Sequence, residues 1–125
     1  MASAEELLFV YGTLRRGAYR GGRVNPFAQR LEAEAKWLGP ARIQGRLYQV
    51  NAEYPGLARA ERDEEWVTGE VWAFSDAGLW QALDDYEGDE YVRVPWKIVM
   101  DGGERQGWVY LYASRITTAM AIVAV

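Results

Sequence analysis

The sequence predicts a small, mostly antiparallel β-sheet of five or six strands curled into a barrel, with one clear helix beside it. Three observations predict this. Residues 67–74, 91–100 and 106–113 alternate between two faces with the period of a strand. The joins between such stretches are of hairpin type, and Asp101-Gly102-Gly103 is the strongest of them. Only residues 77–87 combine helical apolar spacing with both a start and a stop signal. A doubly wound sheet would need several such helices between its strands.

Taken in order, residues 7–11 (LLFVY) form a continuous apolar run, the pattern of a strand buried on both sides. A glycine-rich loop follows over 12–23, and Arg15, Arg16, Arg20 and Arg23 make it locally cationic. Asn25 can cap a helix that starts at Pro26; residues 27–36 contain good helix formers but space their apolar side chains poorly. Residues 37–50 read as extended, with an interruption at Gly39-Pro40. A turn is predicted over 51–56 from Tyr54-Pro55-Gly56. ERDEE, residues 61–65, reads as an acidic surface connection, and a strand follows over 67–74.

Ser75 and Asp76 are good N-caps for the predicted helix, which presents Leu79, Trp80, Leu83 and Tyr86 at helical spacing and stops at Gly88. The last two strands place Trp108, Tyr110 and Tyr112 on one face and Val109 and Leu111 on the other. The end of the chain, 116–125 (ITTAMAIVAV), is small, apolar and uncharged: a last strand, a docked end, or an end foreign to the domain. Left exposed, it would favour aggregation. The length fits one domain spanning 1–125, with 116–125 as an atypical tail.

Half of the residues are hydrophobic, with six Trp and eight Tyr, which argues for a folded globule rather than disorder. The net charge of −4 supplies no basic field for nucleic acid or anionic lipid. The chain contains neither Cys nor His. Thiol nucleophiles, the Ser-His-Asp triad, disulfides and the common zinc sites are thereby excluded. No cofactor or metal is expected. General acid–base work falls to Asp, Glu, Lys or Tyr. No secretory signal and no apolar stretch of membrane-spanning length is visible, so a soluble cytoplasmic protein is the expectation.

Two segments could carry chemistry. The strand at 7–11 breaks into Gly12-Thr13, and a strand that ends in glycine can offer unpaired backbone N–H groups to an anion or a polarised carbonyl. Glu87 stands at the end of the predicted helix among Asp84, Asp85, Asp89 and Glu90. The negative end of the helix and the neighbouring charges both raise its proton affinity, toward what a general base needs near neutral pH. The same pattern also fits a solvated acidic helix end, and the glycine loop also fits a plain tight turn. The loop lacks the lysine of a phosphate-binding GxxxxGK[ST] motif. Its arginines could hold a substrate carboxylate, or be solvated. Tyr91, Tyr110 and Tyr112 could line a cavity, or belong to the core.

YGTL followed by RRG, then LGPARIQGRLY, YPGL, GEVW and LDDYEGDEYVR, in that order over residues 7–112, resemble the gamma-glutamylcyclotransferase-like family in its small prokaryotic form. YGTL and DDYEG are the specific part. The resemblance implies an α+β fold, a small barrel with flanking helices. It implies a reaction that turns a gamma-glutamyl amine or amino-acid conjugate into 5-oxoproline and free amine. Glu87 would be the acid–base catalyst. Tyr11, Gly12, Thr13 and Leu14 would cradle the substrate with backbone amides, and Tyr91 and Arg93 match the aromatic and basic pair that follows the glutamate. The implied partner is a small gamma-glutamyl substrate, with no nucleic acid and no membrane. Asn25 stands where the family often carries a histidine, and the tail beyond Tyr112 departs from the family's polar ending. The rival expectation is a non-catalytic binding module on the same barrel.

Overall fold

A computed structural model describes residues 5–11, 19–20, 23–24, 26–50, 55–114, 120 and 122. Five strands close into a barrel: β1 (Glu6–Val10), β4 (Lys36–Gln44), β7 (Trp66–Phe74), β8 (Tyr91–Met100) and β9 (Gly103–Tyr112), in the order β1-β7-β4-β8-β9. All pairings are antiparallel except the one that closes the ring, where β1 runs parallel to β9 with Leu8 opposite Trp108. The expected α+β architecture, a small and mostly antiparallel barrel with helices beside it, is therefore present. Two short pairs stand apart from it: β2 (Tyr19–Arg20) with β3 (Arg23–Val24), and β5 (Arg46–Gln49) with β6 (Pro55–Ala58). Helix α1 spans Pro26–Glu34 and α2 spans Ala77–Glu87. Among the described residues no helix is long and apolar enough to cross a membrane.

Strand alternation divides the apolar residues into two clusters. Leu7, Phe9, Ile43, Val67, Val71, Ile98 and Val109 pack together, while Leu8, Val10, Trp72, Phe74 and Tyr110 join Leu31 of α1 and Leu79, Trp80 and Leu83 of α2. The continuous run in β1 is thus explained: its alternate residues serve the two clusters, and both faces are buried. Helix α2 begins as the sequence predicts, with the Asp76 carboxylate accepting from the Gly78 N–H at 2.8 Å. It stops at Gly88, whose φ of 69° lies in the left-handed region where a side chain is disfavoured.

Three local expectations are corrected. Gly39-Pro40 does not interrupt the strand: β4 runs through it with a register shift between Trp37 and Gly39, and Gly39 takes φ 105°. Pro55-Gly56 is not a turn but the start of β6, opposite Gln49 and Tyr48; residues 51–54 lie outside those described. The stretch 12–23 is not wholly a loop, since it contains the β2–β3 pair. The acidic connection 61–65 is an organised one. Glu65 accepts from the N–H groups of Glu61 and Arg62, and both Glu61 and Glu65 pair with Arg46. Of the tail, Ile122 makes an isolated antiparallel bridge to Tyr48, and most of 116–125 lies outside the described residues.

β1 and β7 cross closely. A methyl group at Gly69 would lie 2.2 Å from the Val10 carbonyl oxygen and 2.6 Å from Cζ of Phe9. Gly69→Ala should therefore destabilise the protein by about 1–3 kcal/mol, measured as a lowered midpoint of urea unfolding with unchanged slope.

Candidate active site

The residue that follows β1, Tyr11, donates its hydroxyl proton to the Tyr110 carbonyl at 2.8 Å and accepts from the Leu57 N–H at 3.3 Å. One side chain thereby ties the start of the glycine loop to β9 and β6. Burial pushes its phenol well above the ordinary range, with the neighbouring Tyr91 and Glu87 adding to the shift and the Leu57 N–H opposing it. Tyr91, the first residue of β8, donates to the Pro55 carbonyl at 2.9 Å and packs edge-on against Tyr112 at 5.6 Å between ring centroids. Both tyrosines thus bond to the backbone of β6.

Glu87 ends α2 and leads into a single 3₁₀ turn, Gly88–Glu90. That turn is tied to the end of β9 by the Ala113 N–H, which donates to the Glu90 carbonyl at 2.7 Å. The Glu87 carboxyl is partly buried, and its proton affinity is pushed up to about 7, first by burial and then by the charge of Asp84. Its charge in turn reaches the hydroxyls of Tyr11 and Tyr110. The sequence anticipates the upward direction, but through the helix dipole and a run of like charges; burial is the larger cause here.

Asp84 lies one turn before Glu87 and is held from two sides. Arg93 Nε donates to Oδ1 at 2.9 Å and Nη2 to Oδ2 at 3.1 Å, and the Tyr110 hydroxyl donates to Oδ1 at 2.7 Å. Burial alone would raise the Asp84 carboxyl, yet these bonds carry it below its ordinary value. Arg93 itself lies between two indoles, with its guanidinium carbon 4.5 Å from the Trp80 centroid and 4.8 Å from that of Trp108. Asp84, Tyr91, Val92, Arg93, Trp108 and Tyr110 line a cavity of about 450 Å³.

Of the residues expected at the site, Tyr91 and Arg93 line one cavity, whose lining includes neither Tyr11 nor Glu87, while the charge of Glu87 acts on the Tyr11 phenol. Gly12, Thr13 and Leu14 lie outside the described residues. Sequence reasoning missed Asp84 and Tyr110 as parts of a network. Asp84 reads as one acid in a solvated run, and only its spacing of three from Glu87 could have marked it as sharing a helix face. Among the described residues no carboxylate cluster is arranged to hold a metal ion.

Fold and site together are a five-stranded mixed barrel beside a helix that ends in a partly buried glutamate. The family of gamma-glutamyl cyclotransferase, AIG2-like proteins matches residues 8–123, and the chain belongs to that family. Membership supports a cyclotransferase-type enzyme. No curated protein sequence matches significantly. Among solved structures, an AIG2-like protein from Mus musculus superposes with a TM-score of 0.71 at 23% identity, over 91% of this chain and 81% of that one. A gamma-glutamyl cyclotransferase superposes with a TM-score of 0.61 at 19% identity, over 87% of this chain and 67% of that one. YkqA from Bacillus subtilis gives 0.67 at 25% identity over 87% of this chain, which spans only 36% of that longer protein.

The raised affinity of Glu87 carries a stability cost with a definite sign. The folded state holds this proton more tightly than the unfolded state, where the ordinary value is 4.5. Its contribution is fullest below that value and is lost as pH rises through about 7. Glu87→Gln should therefore gain stability relative to the parent between pH 5 and pH 8, by on the order of 1–3 kcal/mol, as read from urea unfolding at the two pH values.

Proposed function

We propose that this protein is a cyclotransferase that converts a gamma-glutamyl amine or amino-acid conjugate into 5-oxoproline and the free amine. The reading is carried by Glu87, a partly buried carboxyl at the end of α2 with a proton affinity near neutrality, whose charge acts on Tyr11, the residue before Gly12. The reaction suits a chain without Cys or His, because the substrate brings its own nucleophile. Ring closure is intramolecular, so the principal task is to hold the folded conformer.

In this mechanism ionised Glu87 takes a proton from the substrate's α-ammonium. The freed amine attacks the γ-carbonyl carbon and a C–N bond forms. The oxygen gains negative charge, which N–H groups of Gly12, Thr13 and Leu14 would stabilise. As the carbonyl reforms, the bond to the leaving nitrogen breaks, and Glu87 returns the proton to that nitrogen. The ring nitrogen then loses its second proton through Glu87 to the released amine, which leaves as an ammonium ion, so protons balance without any external acid. Tyr91 would form a wall of the substrate site, and its bond to β6 holds it there.

Incubation with a panel of gamma-glutamyl amines, gamma-glutamyl amino acids and glutathione should release 5-oxoproline from at least one member. Glu87→Gln should lower that turnover by about 10²-fold or more while retaining the parent's circular dichroism spectrum. For the parent, kcat/KM should rise with pH and reach half its plateau at about 7, since the base must be ionised to act. Tight ligand binding without product across the panel would establish the binding module instead.

A further inference from the structure

Arg93 is the residue whose surroundings are most developed for one that the proposed chemistry does not use. Its fork closes on both oxygens of Asp84, its guanidinium carbon lies over the rings of Trp80 and Trp108, and Tyr110 bonds the same carboxylate from β9. Asp84 shares the last turns of α2 with Glu87. We propose that Arg93 is a positioning residue: through Asp84 it locks the final turn of α2 onto β8 and β9, and so fixes where the Glu87 carboxyl stands. This rests on Glu87 being the acid–base group.

The geometry favours this role over direct substrate contact. Two of the guanidinium nitrogens already donate to Asp84 in the bidentate arrangement that fixes orientation as well as charge. Its position over two indole rings restricts the group further, and a lysine could not reproduce the bidentate bond. The charge of Asp84 is also answered where it stands. The ionisable groups that Glu87 faces are Asp84 on its own helix, Tyr11 after β1 and Tyr110 on β9. Of these Asp84 alone is ionised at neutral pH, and it is the group to which Arg93 is hydrogen-bonded.

The test is a cycle of variants read by the carbon-13 titration of the Glu87 carboxyl, with the signal assigned by its absence in Glu87→Gln. Arg93→Met should move the Glu87 midpoint up by about one pH unit, because the Asp84 charge loses its partner. Asp84→Asn should move it down by a similar amount. Arg93→Met added to Asp84→Asn should then move it no further. A midpoint that stays put in Arg93→Met, or one that shifts equally in the Asp84→Asn background, would overturn the proposal. Should Arg93→Met not fold, Arg93→Lys decides: a smaller upward shift supports the proposal, and an unchanged midpoint sinks it. With an active substrate, Arg93→Lys should lower kcat several-fold and leave KM near the parent value. A raised KM with an unmoved Glu87 titration would instead make Arg93 a substrate contact and overturn the positioning role. Absence of turnover in the parent would count against the cyclotransferase reading alone, and the titration cycle would still decide the link from Arg93 to Glu87.

Discussion

Closure of the barrel between β1 and β9 is the constraint on which the rest of the structure depends. The two strands meet in parallel at Leu8 and Trp108, a hundred residues apart in sequence. That contact brings the residue after β1 beside Tyr110, whose carbonyl accepts the Tyr11 hydroxyl. Without it the outward residues of β9 would have no fixed relation to the start of the glycine loop. Close approach on the other side of β1 depends on the missing side chain at Gly69. Tyr11 thus follows a strand end held by both neighbours, and its hydroxyl bonds to β9 and β6.

A second feature follows from how α2 packs. Its apolar stripe of Leu79, Trp80 and Leu83 joins the cluster outside the barrel, and that docking carries two carboxyls, Asp84 and Glu87, out of bulk water. Two partly buried carboxylates one turn apart disfavour joint ionisation unless one is compensated. The structure compensates Asp84 through Arg93 and Tyr110 and leaves the proton affinity of Glu87 raised. Two acids of similar type thereby acquire opposite shifts: burial dominates at Glu87, while at Asp84 the bonds to Arg93 and Tyr110 together outweigh it.

Much of the fold is legible in the residues. Asp76, the stripe from Leu79 to Tyr86 and Gly88 mark α2 completely, because caps and helical period act over a single turn. Asp101-Gly102 marks the last hairpin for the same local reason. The failures lie where tertiary pairing overrode local preference. Pro55-Gly56 carries a strong turn signal, yet β5 recruits it as a partner and two tyrosine hydroxyls bond its neighbourhood. Gly39-Pro40 looks like a break, yet β7 holds β4 through it by means of a bulge. The acids of 61–65 look solvated, and only the position of Arg46 turns them into a bonded connection.

For the site, sequence by itself determined the available chemistry. A chain without Cys or His must leave acid–base work to Asp, Glu, Lys or Tyr, and the acid-rich end of α2, together with the family resemblance, singled out Glu87. Tertiary structure decided what that carboxyl experiences. Its burial, the answering of Asp84 by an arginine nine positions away, and the presence of Tyr11 beside it all depend on contacts between distant segments. Proton affinity is a property of such surroundings. No local pattern in a single sequence specifies how much water a carboxyl loses or which distant charge comes to face it.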